Sequence, residues 1–272
     1  MMSKKCNYIF LLFIAAILVL SGCSPTEKAS GEATANKLEQ IIKSGKLRVA
    51  TYPDVAGWSL LNASGEYEGY DPDIARKLAA DLGVEVEFVS ADSVNRIPLL
   101  EADKVDVAIA IFTPTNERAK SVSFTIPYAA AGIVPIFPKG TPIKEIDDIA
   151  DMKIAFARGN TSDVALSAKF PNAEFVRFDA VSDAFMAMKS GKADVFVDEQ
   201  AVVAEILKSN PEFEAMPGEP YQPQYISMGV QHGQHDWLNY LNNFIRNFNY
   251  SGENAEQYEK WFGTPLPTMV TY

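Results

Sequence analysis

The chain has 272 residues, a formal charge of −11 and 47% hydrophobic residues. That length supports a packed core in one large domain or two lobes. The acidity argues against nucleic acid as a partner and against adsorption to anionic lipid. Two cysteines and two histidines leave little material for a disulfide framework or a structural metal.

The N-terminus reads as a leader over residues 1–22. Lys4 and Lys5 precede an apolar run, Ile9 to Leu20, which is short for a membrane span and right for a signal peptide. The run ends in Leu20-Ser21-Gly22-Cys23, which resembles a bacterial lipobox. That resemblance implies cleavage before Cys23 and a diacylglycerol anchor on its thiol. With Cys6 discarded, no intrachain disulfide is possible. Loss of two lysines takes the formal charge from −11 to −13. Residues 23–37 are small and polar, a tether.

Two runs of alternating strand and helix follow. The first has strand 47–51, helix 71–82, strand 84–89, helix 94–102 and strand 105–112. Asp71 is expected to cap its helix with Pro72 in the first turn, and Gly83 to close it. Asp71 and Asp73 read as acids favourable to the helix dipole rather than as an acid/base pair. Val84, Val86 and Phe88 alternate with Glu85 and Glu87, the pattern of a half-buried strand. The second run has strand 153–157, helix 161–169, strand 174–178, helix 181–190, strand 194–198 and helix 200–208. Proline-rich stretches at 127–142 and 217–223 are the expected junctions. A strand at 225–231 and helices at 236–249 and 253–262 complete the chain. Repeated order of this kind implies an α/β fold of two lobes with mainly parallel sheets.

Val105 to Phe112 is nearly continuous in apolar residues, as in a strand buried on both faces. It ends in a polar loop, Thr113 to Arg118. Arg96 lies upstream in Asn95-Arg96-Ile97-Pro98. A guanidinium is a permanent cation whose planar fork fits a carboxylate. The carboxyl end of a buried parallel strand is where open α/β sheets bind ligand. Thr161 follows Gly159 and opens a helix, where backbone N–H groups favour an anion; a plain N-cap is the alternative. Arg158 is expected to face solvent. His232 and His235 share one loop and read as solvated. No Gly-x-Ser-x-Gly elbow, phosphate loop or cysteine ligand pair appears. No enzyme activity and no cofactor are therefore expected.

The chain resembles the bacterial extracellular solute-binding proteins of family 3, which deliver polar amino acids to ABC importers. The resemblance is carried by Leu47-Arg48-Val49-Ala50-Thr51, Gly69-Tyr70-Asp71-Pro72-Asp73-Ile74 and Asn95-Arg96-Ile97-Pro98. It continues through Thr115-Asn116-Glu117-Arg118, Phe124-Thr125-Ile126-Pro127-Tyr128, Gly159-Asn160-Thr161, Gly191-Lys192-Ala193-Asp194 and Tyr258-Glu259-Lys260-Trp261-Phe262. It implies a type II periplasmic-binding-protein fold with two crossing strands between lobes. Lobe 1 would be 38–132 with 224–265, and lobe 2 would be 133–223.

The resemblance also implies the ligand and its contacts. Arg118, with Thr113, would clamp the α-carboxylate of a free L-amino acid, and Thr161 would add a contact. The acid for the α-ammonium would be Asp198 or Glu199, seven and eight residues after Gly191; the family's usual aspartate favours Asp198. Arg96 with Ser93 resembles the branch that takes aspartate and glutamate, and a structural arginine is the alternative. Tyr52 and Trp58 lie where the family often stacks an aromatic ring on the ligand, and Trp58 as core is the alternative. Asp54 nearby would oppose an acidic ligand unless paired. The implied protein is a monomer outside the cell membrane, facing the periplasm or the exterior and delivering ligand to permease subunits. A periplasmic dehydratase of prephenate-like acids on the same fold, or a ligand-sensing module for a membrane receptor, are the rival readings.

Overall fold

The computed structural model describes residues 36–269. The leader and Cys23 lie outside the described residues. Asn36 caps a first helix, α1 (Lys37–Ser44), accepting the Glu39 N–H at 3.0 Å, and Gly45 closes it in the left-handed conformation. This helix is not anticipated in the sequence reading, which ends the tether at residue 37 and gives residues 38–44 to lobe 1 without assigning them an element.

Strand β1 (Lys46–Thr51) leads to a small antiparallel sheet of β2 (Asp54–Val55), β3 (Ser59–Leu61) and β4 (Tyr67–Glu68). Helix α2 (Tyr70–Leu82), β5 (Glu85–Ser90), α3 (Arg96–Glu101) and β6 (Val107–Phe112) follow. β1 lies between β5 and β6, parallel to both. Only Ile111 in β6 escapes full burial, so both faces of that strand are covered, as its composition requires. β5 alternates exposed Glu85 and Glu87 with half-buried Val86 and Phe88.

The chain then runs 17 residues without a break as β7 (Val122–Pro138). The other lobe has β8 (Lys153–Ala157), α4 (Thr161–Lys169), β9 (Glu174–Phe178), α5 (Val181–Lys189), β10 (Val195–Glu199) and α6 (Gln200–Ser209). β8 is parallel to both β9 and β10. A short β11 (Phe213–Ala215) pairs with the end of β7. β12 (Tyr221–Gln231) then returns antiparallel to β7 and β6. Helices α7 (His235–Tyr250) and α8 (Glu253–Phe262) end the fold.

The strand order β5-β1-β6-β12-β7-β10-β8-β9 puts the two crossing strands, β7 and β12, at the centre. They join the parallel sets of the two lobes into one path. Within it, Leu100, Val105 and Phe112 anchor one buried cluster. Ile149, Phe156 and Val195 anchor another in the second lobe. A larger cluster includes Leu47, Trp237 and Phe196 and so draws on both.

One expected cap is corrected. Helix α2 begins at Tyr70 behind Gly69, whose φ is 133°. A side chain there would run into the Trp58 carbonyl, so only glycine fits. Asp71 therefore sits inside the first turn. It turns into the core instead of capping: its carboxylate accepts from the Ile111 N–H and the Tyr128 hydroxyl.

Candidate functional site

A cavity opens where the carboxyl ends of β1 and β6 face the amino end of α4 and the end of β10. It is bordered by Tyr52, Ser93, Arg96, Ile111 and Thr113 on one side and by Asn160, Thr161, Ser162, Asp198 and Glu199 on the other, with Gln224 of β12 between them.

Arg96 is the most buried charge on the first side, at 1% exposure. Its Nη1 donates to the carbonyls of Ala110 at 2.7 Å and Ile111 at 3.2 Å, and its guanidinium lies 4.1 Å from the centre of the Phe112 ring. Its Nε is buried without a partner. Beside it, the hydroxyls of Tyr52 and Ser93 are 2.5 Å apart. Burial raises the Tyr52 phenol above its ordinary range.

Arg118 follows the loop after β6. It donates to the Thr113 carbonyl at 2.9 Å and to the Gly159 carbonyl at 3.0 Å. It thus spans from one lobe to the other with N–H groups to spare, since a guanidinium has five. Burial, then the field of Arg96, lowers it to about 9, still a cation at neutral pH. Arg118 stands next to the cavity-lining Thr113 but does not itself border the cavity. The ion pairs of the described arginines fall on Arg48, Arg76, Arg158 and Arg177, away from this pair.

The opposite side is acidic. Asp198 accepts from Asn160 Nδ2 at 3.3 Å and from the Glu199 N–H at 2.8 Å. Burial raises it to about 7. Glu199 is raised further, to about 8, by burial and then by Asp198. Its carboxylate is the N-cap of α6, accepting from the Ala201 and Val202 N–H groups at 3.0 Å each, and it also accepts from the Trp58 indole. Both acids use both oxygens: Glu199 accepts three hydrogen bonds, two of them from the helix it caps, and Asp198 accepts two.

Other expected residues fall as follows. Thr161 is the first residue of α4, and the N-cap is Asn160, whose side-chain oxygen accepts the Asp163 N–H at 2.8 Å. The Thr161 hydroxyl donates to the Thr113 hydroxyl at 3.1 Å, and Thr113 donates to Gln224 Oε1 at 3.0 Å. Trp58 is fully buried against Tyr70 and Phe262 and does not border the cavity. Arg158 is on the surface beside Asp179. Asp54 is not paired with an arginine; it faces Ser182 at the start of α5, at 3.3 Å from the hydroxyl. His232 meets Ser123 at 3.0 Å. Among the described residues no group of His, Cys, Asp and Glu is arranged to hold a metal.

The sequence reading missed Gln224 and Asn160. Gln224 Nε2 is buried without a partner, and β12 brings it to the cavity from far along the chain. Asn160 lies within the quoted Gly159-Asn160-Thr161 string, and its role as both helix cap and brace for Asp198 appears only in three dimensions.

Residues 47–264 match the family model described as bacterial extracellular solute-binding proteins, family 3. The chain belongs to that family. The ABC transporter glutamine-binding protein of Bacillus subtilis is 30% identical over 266 residues, covering 95% of this chain and 97% of that protein. The glutamine-binding protein of Geobacillus stearothermophilus is 33% identical over 78% of this chain and 88% of its own. In structure, an ancestral amino-acid-binding protein, described as a precursor of cyclohexadienyl dehydratase, superposes with a TM-score of 0.78 at 32% identity. That match covers 83% of this chain and 99% of the ancestral one. For a family 3 solute-binding protein, a cavity between the strand ends of the two lobes is the expected place for ligand.

Proposed function

We propose that this family 3 protein captures a free L-amino acid between its lobes and presents it to the permease of an ABC importer. One observation carries the reading: cations without a carboxylate partner, one lining and one beside one end of the cavity, face a carboxyl group without a cationic partner at the other. Arg96 and Arg118 lie on the β6 side and Asp198 on the β10 side. A zwitterion satisfies both ends at once, and each buried charge needs such a partner. Arg118 with Thr113 and Thr161 takes the α-carboxylate, and Asp198 takes the α-ammonium.

The contacts from Arg118 to Gly159, Thr113 to Thr161 and Trp58 to Glu199 cross between the lobes. They support binding by closure around the ligand. An affinity near ~1 μM, about −8 kcal/mol, would be ordinary for so small a ligand.

The side-chain end favours an acceptor. Arg96 Nε and Gln224 Nε2 are both buried without partners and both residues border the cavity. A terminal carboxylate answers them best, so L-aspartate and L-glutamate are the preferred ligands, with Ser93 and Tyr52 alongside. Asp54 does not oppose this, because it is directed to the start of α5. In thermal melts, L-aspartate or L-glutamate should raise the midpoint more than L-glutamine or L-arginine does. A hundredfold excess over Kd contributes about 2.7 kcal/mol. A shift with L-arginine or L-glutamine alone would defeat the acidic preference and leave the amino-acid reading intact. Arg118→Ala should cost roughly 3–5 kcal/mol of binding; a loss under about tenfold by calorimetry, ~1.4 kcal/mol, would reject its role.

A dehydratase on this scaffold would use a protonated carboxyl at the cavity wall, and Glu199 at about 8 offers one. Mass spectrometry separates the readings, since a carrier returns its ligand unchanged. The anchor rests on Leu20-Ser21-Gly22-Cys23. Cys23→Ser should leave the protein unprocessed or release it from the membrane. Correctly processed, membrane-bound Cys23→Ser protein would refute the anchor.

A further inference from the structure

The family 3 reading gives no role to Asp71, although it is fully buried in the Gly69-Tyr70-Asp71-Pro72 turn. Its carboxylate accepts no N–H from its own helix. Instead Oδ2 accepts the Ile111 N–H at 3.1 Å and Oδ1 accepts the Tyr128 hydroxyl at 2.8 Å. Ile111 has φ of 47°. That is the left-handed region, which is strongly disfavoured for a β-branched side chain and persists only where surroundings enforce it. Ile111 also borders the cavity, and its carbonyl, with that of Ala110, receives the Arg96 guanidinium.

We infer that Asp71 is a positioning residue: it holds Ile111 in its strained conformation and thereby aims the Arg96 guanidinium into the cavity. The chain of contacts is short and directional. Tyr128 fixes one carboxylate oxygen, the other fixes the Ile111 amide, and the peptide turned by that conformation presents its carbonyl to Arg96. Asp71 also lies near Arg96 without a direct bond to it; burial raises its carboxyl to about 7, and in its ionised form it offsets part of the burial cost of Arg96 without blocking the fork. The inference rests on the proposed function only in taking Arg96 to face ligand.

The test separates conformation from stability. Glycine adopts positive φ without the Cβ penalty, so Ile111→Gly should relieve the need for Asp71. In ligand-free protein, the Arg96 guanidinium resonances should be sharp and slow to exchange. Asp71→Ala should broaden them, and Asp71→Ala with Ile111→Gly should restore them in large part. Binding of L-glutamate should fall at least tenfold in Asp71→Ala and recover severalfold in the double variant. Unchanged Arg96 resonances in Asp71→Ala, or no recovery in the double variant, would overturn the inference. If Asp71→Ala does not fold, Tyr128→Phe removes one anchor of the carboxylate. Broadened Arg96 resonances there support the inference, and unchanged ones overturn it. Wild-type protein that binds neither L-glutamate nor L-glutamine while the resonances respond as expected would sink the ligand reading and leave the positioning role standing.

Discussion

Asp198 and Glu199 are neighbours in sequence with separate tasks. Strand alternation sends adjacent side chains to opposite faces, and β10 ends here, so Glu199 turns onto the amide end of α6 while Asp198 meets Asn160. Asp198→Asn should weaken amino-acid binding more than tenfold, because the ligand ammonium loses its counter-charge, with little change in the ligand-free melt at acidic pH, where the folded carboxyl is protonated anyway. Glu199→Gln should do the reverse. Its cap bonds weaken, at about 1 kcal/mol for a helix cap, while binding changes severalfold at most. Calorimetry and melts on both variants decide the assignment, and equal binding losses would show that both acids meet the ligand. Sequence supplied the pair and the preference for aspartate, but not the Trp58 indole and two helix amides that engage Glu199, all made local by folding. Trp58 was legible as a large aromatic in the right loop and not as a partner of Glu199. Only packing against Tyr70 and Phe262 tells a core tryptophan from a ligand platform.

The parallel strands and their helices were legible because each carries its own period: β6 is a continuous apolar run, β5 alternates, and α2 ends on Gly83 with φ of 68°. The crossing strands were legible only in part: the strand expected at 225–231 is the second half of β12, whereas the β7 stretch read as a proline-rich junction. β7 contains Pro127, Pro135 and Pro138, and prolines inside a run normally demote a strand. Here the ladder shifts register at Ser227, opposite Pro127. The irregular pairing at the other end is as specific. Between the pairs Tyr221–Ile133 and Gln224–Ala131 the register shifts again, and Gly132 faces Pro220 so closely that an added Cβ would overlap the proline ring. Gly132→Ala should therefore push the two crossing segments apart. The expected cost is that of overpacking, about 1–3 kcal/mol, or a fall of several degrees in the melt at this size. An unchanged midpoint would mean the segments can separate freely, and the tight approach would then have no energetic consequence.

At the scale of the whole molecule, buried carboxyl groups oppose stability once they ionise. Burial is the first cause of the high values at Asp71, about 7, Asp198, about 7, and Glu199, about 8. Each binds a proton in the folded state that the unfolded chain, titrating near ~4, has already released. Folded stability from these groups is therefore greatest below the ordinary carboxylate range and is lost as pH rises toward 7 to 8. The slope is at most about 1.4 kcal/mol per pH unit for each group. A carboxylate held low, such as Asp148 under the Lys144 and Glu145 amides, titrates below that window and does not interfere. Ligand reverses the sign. An ammonium beside Asp198 favours the carboxylate, so binding releases a proton and weakens as pH falls below about 7, by up to about tenfold per unit for one proton. Melts from pH ~8 to ~5.5 should thus show the ligand-free midpoint rising while the increment from L-glutamate shrinks. Asp198→Asn should flatten the ligand trend and only reduce the ligand-free one, since Asp71 and Glu199 remain. A ligand-free midpoint that falls on acidification across this window would contradict the buried-carboxylate account. A ligand increment that stays constant would place the ammonium on some group other than Asp198.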